Sequence, residues 1–278
     1  MESERLLLLA LLGLLVVGVW IGLSCFQGDV YINFLTGREE SVPLTLGMQI
    51  SLGEDLAEDF EQQLRGLVSD PRIQRRVNAI GFRLLQTLTQ MEVERRSRTG
   101  KELNWAVFNF RFKVLNTDEI NAFALPDGSI YITRGLLRYL GSDDQLATVL
   151  GHEMGHVVLR HAAKALAARL KGNVVVFAFQ VLFGKELAQL VGGAAYLLEL
   201  SYSREQEREA DHVGYLLACF AGYDPQALIE VFELFKRLEG QAGTEPELEP
   251  EFLRTHPLPQ TRIDYLKGLS CELPGWQR

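Results

Sequence analysis

The sequence is poor in cysteine, in net positive charge and in low-complexity segments, and each shortage excludes a class of protein. Three cysteines in 278 residues are too few for a disulfide-dense scaffold, and their odd number leaves at least one without an intramolecular partner. The formal net charge is -8, with 36 acidic and 28 basic side chains, which argues against a protein that binds nucleic acid by neutralising phosphates. The 25 glycines and 9 prolines are ordinary numbers, so collagen-like and low-complexity chains are excluded.

Charged residues are also absent from residues 6–23. This apolar run of 18 residues would form a helix roughly 27 Å long, close to the thickness of a bilayer core. It is longer than the apolar part of a signal peptide and its leader is weak, so residues 1–25 predict an uncleaved membrane anchor. Cys25 lies in a pattern that loosely resembles a bacterial lipoprotein processing site, which leaves a lipidated or cleaved signal segment as the alternative. A helix buried in a large core is the remaining possibility. Arg5 favours a cytoplasmic N-terminus and therefore an extracytoplasmic location for the rest of the chain.

The residues after this segment change from an irregular to a helical pattern. Residues 26–50 lack sustained periodicity and predict an irregular lead-in. From Leu52 onward, apolar residues recur at helical spacing. Asp70 is suited to cap a second helix that begins at Pro71.

A small sheet is predicted after these helices. From Asn104, apolar and polar residues alternate, which is typical of a strand with one buried face. The segment NAFALP, the turn signal PDG and the strand SIYIT then predict a hairpin, so we expect a small antiparallel sheet. The length favours one or two domains, and these patterns predict an α+β, mainly α-helical domain over residues 51–278.

The next predicted helix carries a motif with specific chemistry. Ser142, followed by acidic residues, gives a capping-box pattern, so the helix begins there. The helix contains the motif HEMGH, whose His152 and His156 share one face and can reach one metal ion about 2 Å from each nitrogen. Glu153 lies off the ligand direction, yet close enough to act as general base on a water at the metal. Gly155 allows another element to approach closely.

A site with two histidines needs a third protein ligand and an open position for water or substrate. His161 is the nearest candidate, but it lies five residues after His156 on another side of the helix, and we predict a structural role for it. A later helix over residues 201–214 carries Glu207 and Asp211 at i, i+4 on one face. Glu207 would complete a zinc site of two histidines and one carboxylate, and Asp211 would accept a hydrogen bond from a ligand histidine.

This pair of helices resembles the gluzincin-type zinc metallopeptidases that include the CaaX prenyl endopeptidases, HtpX and the periplasmic BepA-type proteases. The resemblance covers most of the chain. It is carried by NFLTGREE (33–40), NAFALPDGSIYITRGLL (121–137), GHEMGHVVLRHAAK (151–164), YSREQEREADHVG (202–214) and THPLPQTRI (255–263). We call Asn33, Thr36, Gly37, Arg38 and Glu40 the lead-in motif. The departures are Phe34, where proline is commoner, and His212, where a basic or polar residue is usual.

The resemblance implies a role for each candidate in the two helices. It implies one zinc ion per subunit, bound by His152, His156 and Glu207, with Glu153 as the catalytic base and Asp211 supporting a ligand. The sheet of this fold would lie beside the HExxH helix, and NAFALP would be the edge strand along which an extended polypeptide substrate pairs.

The resemblance also implies that His256 and Arg262 stabilise the oxyanion or position the substrate. From the residues alone, His256 is equally well a loop histidine beside two prolines. Arg262 is nearly as well explained by a structural ion pair with a carboxylate of the site. Both alternatives stay open at this point.

Together these features predict a membrane-associated zinc endopeptidase that hydrolyses misfolded or unassembled envelope proteins. One alternative is a chaperone or assembly factor that holds unfolded clients without cleaving them, and another is a metal-dependent hydrolase of a non-peptide substrate. The apolar segment 173–200 predicts a buried helical hairpin, because Lys185 and Glu186 interrupt it, with membrane contact as the alternative.

Overall fold

The computed structural model describes residues 28–101, 108–170, 202–242, 250–257 and 260–273. The predicted anchor at 6–23 and the apolar segment 173–200 lie outside these ranges. Within them, no helix is both long enough and apolar enough to cross a bilayer.

The described residues form nine helices and five strands, which confirms an α+β, mainly α-helical fold. The strands are β1 Asp29–Ile32, β2 Glu39–Val42, β3 Arg111–Leu115, β4 Ala122–Ala124 and β5 Ser129–Thr133. The helices are α1 Leu46–Gln63, α2 Pro71–Thr99, α3 Arg134–Leu137, α4 Asp143–Val158, α5 His161–Leu170, α6 Arg204–Phe220, α7 Ala227–Ala242, α8 Phe252–Thr255 and α9 Gln260–Lys267.

The prediction of an irregular segment over residues 26–50 is wrong. β1 and β2 form an antiparallel hairpin there, and α1 already begins at Leu46. Each strand has only four residues, and only Tyr31 in β1 and Val42 in β2 are buried, so the strands are too short for alternation to be visible in the sequence. Asn33 shapes the turn, because its Oδ1 accepts the backbone N–H groups of Leu35 and Thr36.

The boundary between α1 and α2 lies where the sequence indicates it. Asp70 caps α2 by accepting the backbone N–H of Arg72, and Pro71 is the first helical residue. The helix ends at Gly100, whose φ of 71° is the left-handed conformation that glycine adopts at little cost. α2 packs against α4 and β3 and so backs the helix that carries HEMGH.

The second sheet is mixed, so the expectation of a purely antiparallel sheet is wrong in one strand pair. β4 and β5 form the predicted antiparallel hairpin, with Phe123 opposite Tyr131. β3 pairs with β5 in parallel, which gives the order β3-β5-β4. Alternation of apolar and polar residues identifies a strand but not its partner. Residues 116–121 connect β3 to β4 at the opposite edge of the sheet, and the hairpin then places β5 between these two strands. β4 is thus an edge strand, and it lies against α4.

The helices α4 and α6 pack with their backbones almost in contact. A Cβ added to Gly214 of α6 would lie 2.7 Å from the backbone nitrogen of His152. One added to Gly155 of α4 would lie 3.0 Å from Cα of Ala210, which confirms the close approach expected at this glycine. Only residues without a larger side chain fit at this crossing unless one helix moves.

A disulfide between Cys219 and Cys271 joins the last turn of α6 to the segment after α9, across 52 residues of sequence. Closing a loop of this length stabilises a folded chain by roughly 2–4 kcal/mol. The bond thereby helps to hold α9, which carries Arg262, against α6.

Candidate metal centre

The two histidines of HEMGH lie on the buried face of α4, one turn apart. Ser142 caps this helix by accepting the backbone N–H of Gln145, as predicted. His152 and His156 are 1% and 2% exposed, and their Nε2 atoms lie 3.1 Å apart. Two imidazole nitrogens at this separation face a common point, as they would if both bound one ion.

The third predicted ligand comes from the first turn of α6. This helix begins with a capping box between Ser203 and Gln206, which places Glu207 on its buried face. Glu207 Oε1 lies 3.5 Å from Nε2 of His156, and Oε2 lies 3.7 Å from Nε2 of His152. The structure therefore brings the three predicted ligands together.

The spacing of these atoms fits a tetrahedral zinc ion. Bonds of about 2.0–2.2 Å at tetrahedral angles place neighbouring ligand atoms roughly 3.3 Å apart. The two Nε2 atoms lie 3.1 Å apart, and the oxygens of the Glu207 carboxylate lie 3.5 Å from one of them and 3.7 Å from the other. Two imidazoles and one carboxylate are also a donor set that zinc prefers, and they leave a fourth position for water or substrate.

Glu153 is buried beside the ligands without being one of them. It is 1% exposed, and its Oε1 makes no hydrogen bond to any residue that the structure describes. Burial raises the pKa of Glu153 above its ordinary value, against the opposing effect of the neighbouring His256 and His152 rings. A carboxylate with a free oxygen and a raised pKa is well suited to accept a proton and return it.

Asp211 and Arg262 support the ligands from behind. Asp211 Oδ1 lies 3.0 Å from Nδ1 of His152. Arg262 donates two hydrogen bonds to Asp211, at 2.8 and 2.7 Å, and its Nη1 lies 2.7 Å from Glu207 Oε2. Burial on its own raises the pKa of Asp211 and Glu207, but the surrounding positive groups, Arg262 prominent among them, outweigh it and lower both pKa values.

His256 lies within the cluster and is buried, so it is not a solvent-exposed loop residue. Its Nδ1 is 2.9 Å from Glu207 Oε1 and 3.4 Å from Nε2 of His152, and its Nε2 is 3.7 Å from Glu153 Oε1. His152, His156, Glu207 and His256 each offer one ligand atom within 4.8 Å of the others. Burial on its own lowers the pKa of His256, but the carboxylates of Glu207 and Glu153 outweigh it and raise the pKa.

A family model for peptidase family M48 matches residues 86–270, which contain the whole cluster. This chain belongs to peptidase family M48. Members of this family are zinc metallopeptidases, so the cofactor suggested by the spacing of the cluster is the one that the family uses. The resemblance drawn from the sequence motifs is confirmed.

Curated proteins similar to this M48 chain include two kinds of peptidase. The chain is 30% identical over 242 residues to the beta-barrel assembly-enhancing protease of Escherichia coli (strain K12), covering 82% of this chain and 45% of the relative. It is 37% identical over 165 residues to the mitochondrial metalloendopeptidase OMA1 of Arabidopsis thaliana, covering 59% and 31%. The OMA1 protein of Saccharomyces cerevisiae is 34% identical over 146 residues, covering 52% and 41%. The chain thus spans less than half the length of these relatives.

Sequence reasoning missed two contacts of the M48 metal cluster. His161 is buried, and its Nδ1 lies 3.0 Å from Nδ1 of the ligand candidate His156. Tyr202 stacks on the same ring, with ring centroids 4.1 Å apart. Burial lowers the pKa of His161, and the neighbouring carboxylate of Glu209 opposes this effect without cancelling it. Both residues lie inside segments that resemble the family, which could have marked them as candidates for the site. No spacing rule, however, relates either residue to His156.

Replacing Gly214 by alanine is expected to push α4 and α6 apart, because the new Cβ would meet the backbone nitrogen of His152 at 2.7 Å. We expect the free energy of unfolding to fall by about 1–3 kcal/mol in denaturant titrations. Zinc affinity, measured by competition with a chelator, should fall with it, because the ligands lie on both helices.

The matched control is Gly240→Ala in α7. No described atom outside its own helix lies within 4 Å of the Cβ that would be added there, so this change should be neutral or stabilise by up to about 1 kcal/mol. Equal stability and equal zinc affinity of the two variants would contradict the importance of the α4–α6 contact.

Proposed function

We propose that this chain is a zinc-dependent endopeptidase in which His152, His156 and Glu207 bind the metal and Glu153 is the catalytic base. The observation that carries the proposal is the convergence of two imidazole nitrogens, 3.1 Å apart, with the carboxylate of Glu207, whose oxygens approach them to 3.5 and 3.7 Å, beside the buried Glu153 carboxylate. Burying an ionisable group without a hydrogen-bond partner is costly, which argues for a chemical role of its free oxygen.

Bound zinc would supply Lewis-acid polarisation of the attacking water and of the scissile carbonyl. Glu153 accepts the proton of that water and later donates it to the leaving amine. His256, whose Nε2 lies 3.7 Å from Glu153, is placed to donate a hydrogen bond to the oxygen on which negative charge develops. Asp211 keeps the His152 ring in one orientation, and Arg262 holds Asp211 in turn.

Extended polypeptides are the substrates that the edge strand β4 favours. Leu125 donates to the carbonyl of Ser129, and Thr133 donates to that of Asn121, so Phe123, which lies midway between these bonds, is the residue of β4 that faces β5 with its N–H and C=O groups. The N–H and C=O groups of Ala122 and Ala124 therefore face the other edge, where no strand of the described chain pairs.

A small pocket continues from this edge towards the metal cluster. Its lining includes Leu125 from the end of β4, His156 from α4, and Tyr202. A chain that adds itself to β4 as a further strand would pass beside this pocket. The arrangement supports binding of the substrate along β4.

We also infer that the domain works outside the cytoplasm on misfolded or unassembled envelope or membrane proteins. The disulfide between Cys219 and Cys271 is typical of an oxidising compartment. One relative is named a beta-barrel assembly-enhancing protease and others are named mitochondrial metalloendopeptidases. Residues 6–23 would hold the domain at the membrane as an anchor, with a lipid on Cys25 as the alternative.

Glu153→Gln should abolish peptide hydrolysis and leave zinc bound, because it removes the base without removing a ligand. Cleavage of casein, followed by gel electrophoresis, should be lost in this variant and in wild-type protein treated with a chelator, and excess zinc should restore only the latter. Cleavage by the variant at the wild-type rate would contradict the proposal. Wild-type protein that binds zinc and retains unfolded casein without cleaving it would instead support the chaperone alternative.

Ala124→Pro should weaken substrate binding and leave the sheet intact. Proline removes an N–H that faces the open edge of β4, and it takes no hydrogen bond from the β4–β5 ladder. For one hydrogen bond we expect KM for an unfolded substrate to rise roughly threefold to tenfold, with kcat little changed. Phe123→Pro is the control, because it removes a ladder N–H and should lower the thermal midpoint. An unchanged KM for Ala124→Pro would exclude binding along β4.

Cys219 and Cys271 should resist alkylation in intact cells until a reductant is added, because a disulfide persists outside the reducing cytosol. Mass spectrometry of the alkylated protein checks this, and the same spectra show whether residues 1–25 are intact or Cys25 carries a lipid. Free thiols at both positions would contradict an extracytoplasmic location.

A further inference from the structure

His161 lies outside the proposed ligand set but touches it directly. Its ring is 0% exposed, and its Nδ1 lies 3.0 Å from Nδ1 of His156. Nε2 of His156 faces the other ligand atoms, at 3.1 Å from His152 and 3.5 Å from Glu207. If Nε2 binds the metal, the proton of the neutral His156 ring is on Nδ1, so His156 donates and His161 Nδ1 accepts.

The contact at the other nitrogen of His161 agrees with this proton arrangement. With Nδ1 accepting, the single proton of the His161 ring is on Nε2, which lies 3.3 Å from Glu209 Oε2. Glu209 Oε1 accepts a hydrogen bond from Asn33 Nδ2, which leaves Oε2 of the same carboxylate facing His161 Nε2. A carboxylate oxygen at this position accepts a hydrogen bond from a protonated Nε2, so the contact favours the His161 tautomer that accepts from His156.

The lead-in motif holds Glu209 in turn. Nδ2 of Asn33 donates to Glu209 Oε1 at 3.2 Å and to Glu40 Oε1 at 2.7 Å. Oδ1 of Asn33 is occupied by two backbone N–H groups of its own turn, so the amide cannot exchange its two ends without losing these bonds. Glu40 is itself held by Lys164 Nζ at 2.6 Å and by the Tyr31 hydroxyl at 2.8 Å.

We propose that His161 and Glu209 are positioning residues of the zinc site, which hold His156 in the tautomer that presents Nε2 to the metal, and that Asn33 and Glu40 of the β1–β2 hairpin hold Glu209 in place. The inference rests on the proposed zinc-dependent function. It gives a role to the lead-in motif, which the catalytic mechanism does not use. The two proposed ligand histidines are then supported differently, His152 by Asp211 directly and His156 by Glu209 through the ring of His161.

The test measures zinc affinity by chelator competition, in the absence of substrate. His161→Phe keeps a ring of similar size but offers no acceptor, and we expect its zinc Kd to rise about 10- to 100-fold. His161→Asn returns an acceptor at the position of Nδ1 and should recover most of the affinity. His212→Phe is the control for loss of a histidine, because Nδ1 of His212 faces the Tyr265 hydroxyl and not the cluster; it should bind zinc as the wild type does.

Glu209→Gln tests the relay without touching the His156–His161 pair. Asn33 donates to one end of the new amide, which turns the amide NH2 towards His161 Nε2 and favours a proton on His161 Nδ1. Two N–H groups would then face each other at His156, so zinc affinity should fall although no ligand is changed. The visible absorption of the cobalt-substituted protein should change in His161→Phe and Glu209→Gln and stay unchanged in His212→Phe.

The outcomes separate this proposal from the proposed function. Wild-type zinc affinity in both His161→Phe and Glu209→Gln would overturn the positioning role. Failure of His161→Asn to recover affinity, with a thermal midpoint of the metal-free protein lowered equally in all His161 variants, would also overturn it, because that is the signature of packing alone. If the wild type binds zinc and the variants bind it weakly, but none cleaves casein, the endopeptidase function fails and the positioning role stands. A wild-type chain that binds no zinc would overturn both.

Discussion

The close crossing of α4 and α6 is the contact on which the site depends. His152 and His156 lie on α4 and Glu207 lies on α6, so neither helix alone presents more than part of the donor set. Gly155 and Gly214 let the two backbones approach until the Nε2 atoms of His152 and His156 and the carboxylate of Glu207 lie within 3.7 Å of one another. A larger side chain at the crossing would move the helices apart and separate the candidate ligands. Close helix packing is therefore a condition for assembling the metal site.

This crossing also concentrates charge that the interior must balance. Glu153, Glu207 and Asp211 are each at most 1% exposed, and buried carboxylates destabilise a fold unless positive groups compensate them. Arg262 contacts two of the three, Glu207 and Asp211, and the ring of His256 lies 3.7 Å from the third, Glu153. A divalent cation at the ligand atoms would complete the balance. Arg262 lies on α9, and the disulfide joins the segment after α9 to α6. The disulfide therefore helps to keep Arg262 next to the carboxylates of the site.

The sequence predicted the parts of the site that follow helical geometry. Residues four apart share a helix face, and this periodicity alone pairs His152 with His156 and Glu207 with Asp211. It did not predict contacts between segments that no periodicity relates. The β1–β2 hairpin has too few buried residues to be seen, the parallel pairing of β3 depends on where a later hairpin returns, and the contact of His161 with His156 depends on the turn between α4 and α5.

The two candidate ligand histidines contact different parts of the chain. His152 is oriented by Asp211, within the pair of helices that carries the motifs, and by Arg262 behind it. The neighbours of His156 lead through Glu209 to the hairpin near residue 33, more than 100 residues earlier in the sequence. On the proposals above, a fragment that began after the hairpin would keep every candidate ligand and the proposed base, but Glu209 would lose the amide of Asn33. On this proposal, a complete set of ligand residues is not sufficient for an ordered site, because β1 and β2 are needed as well.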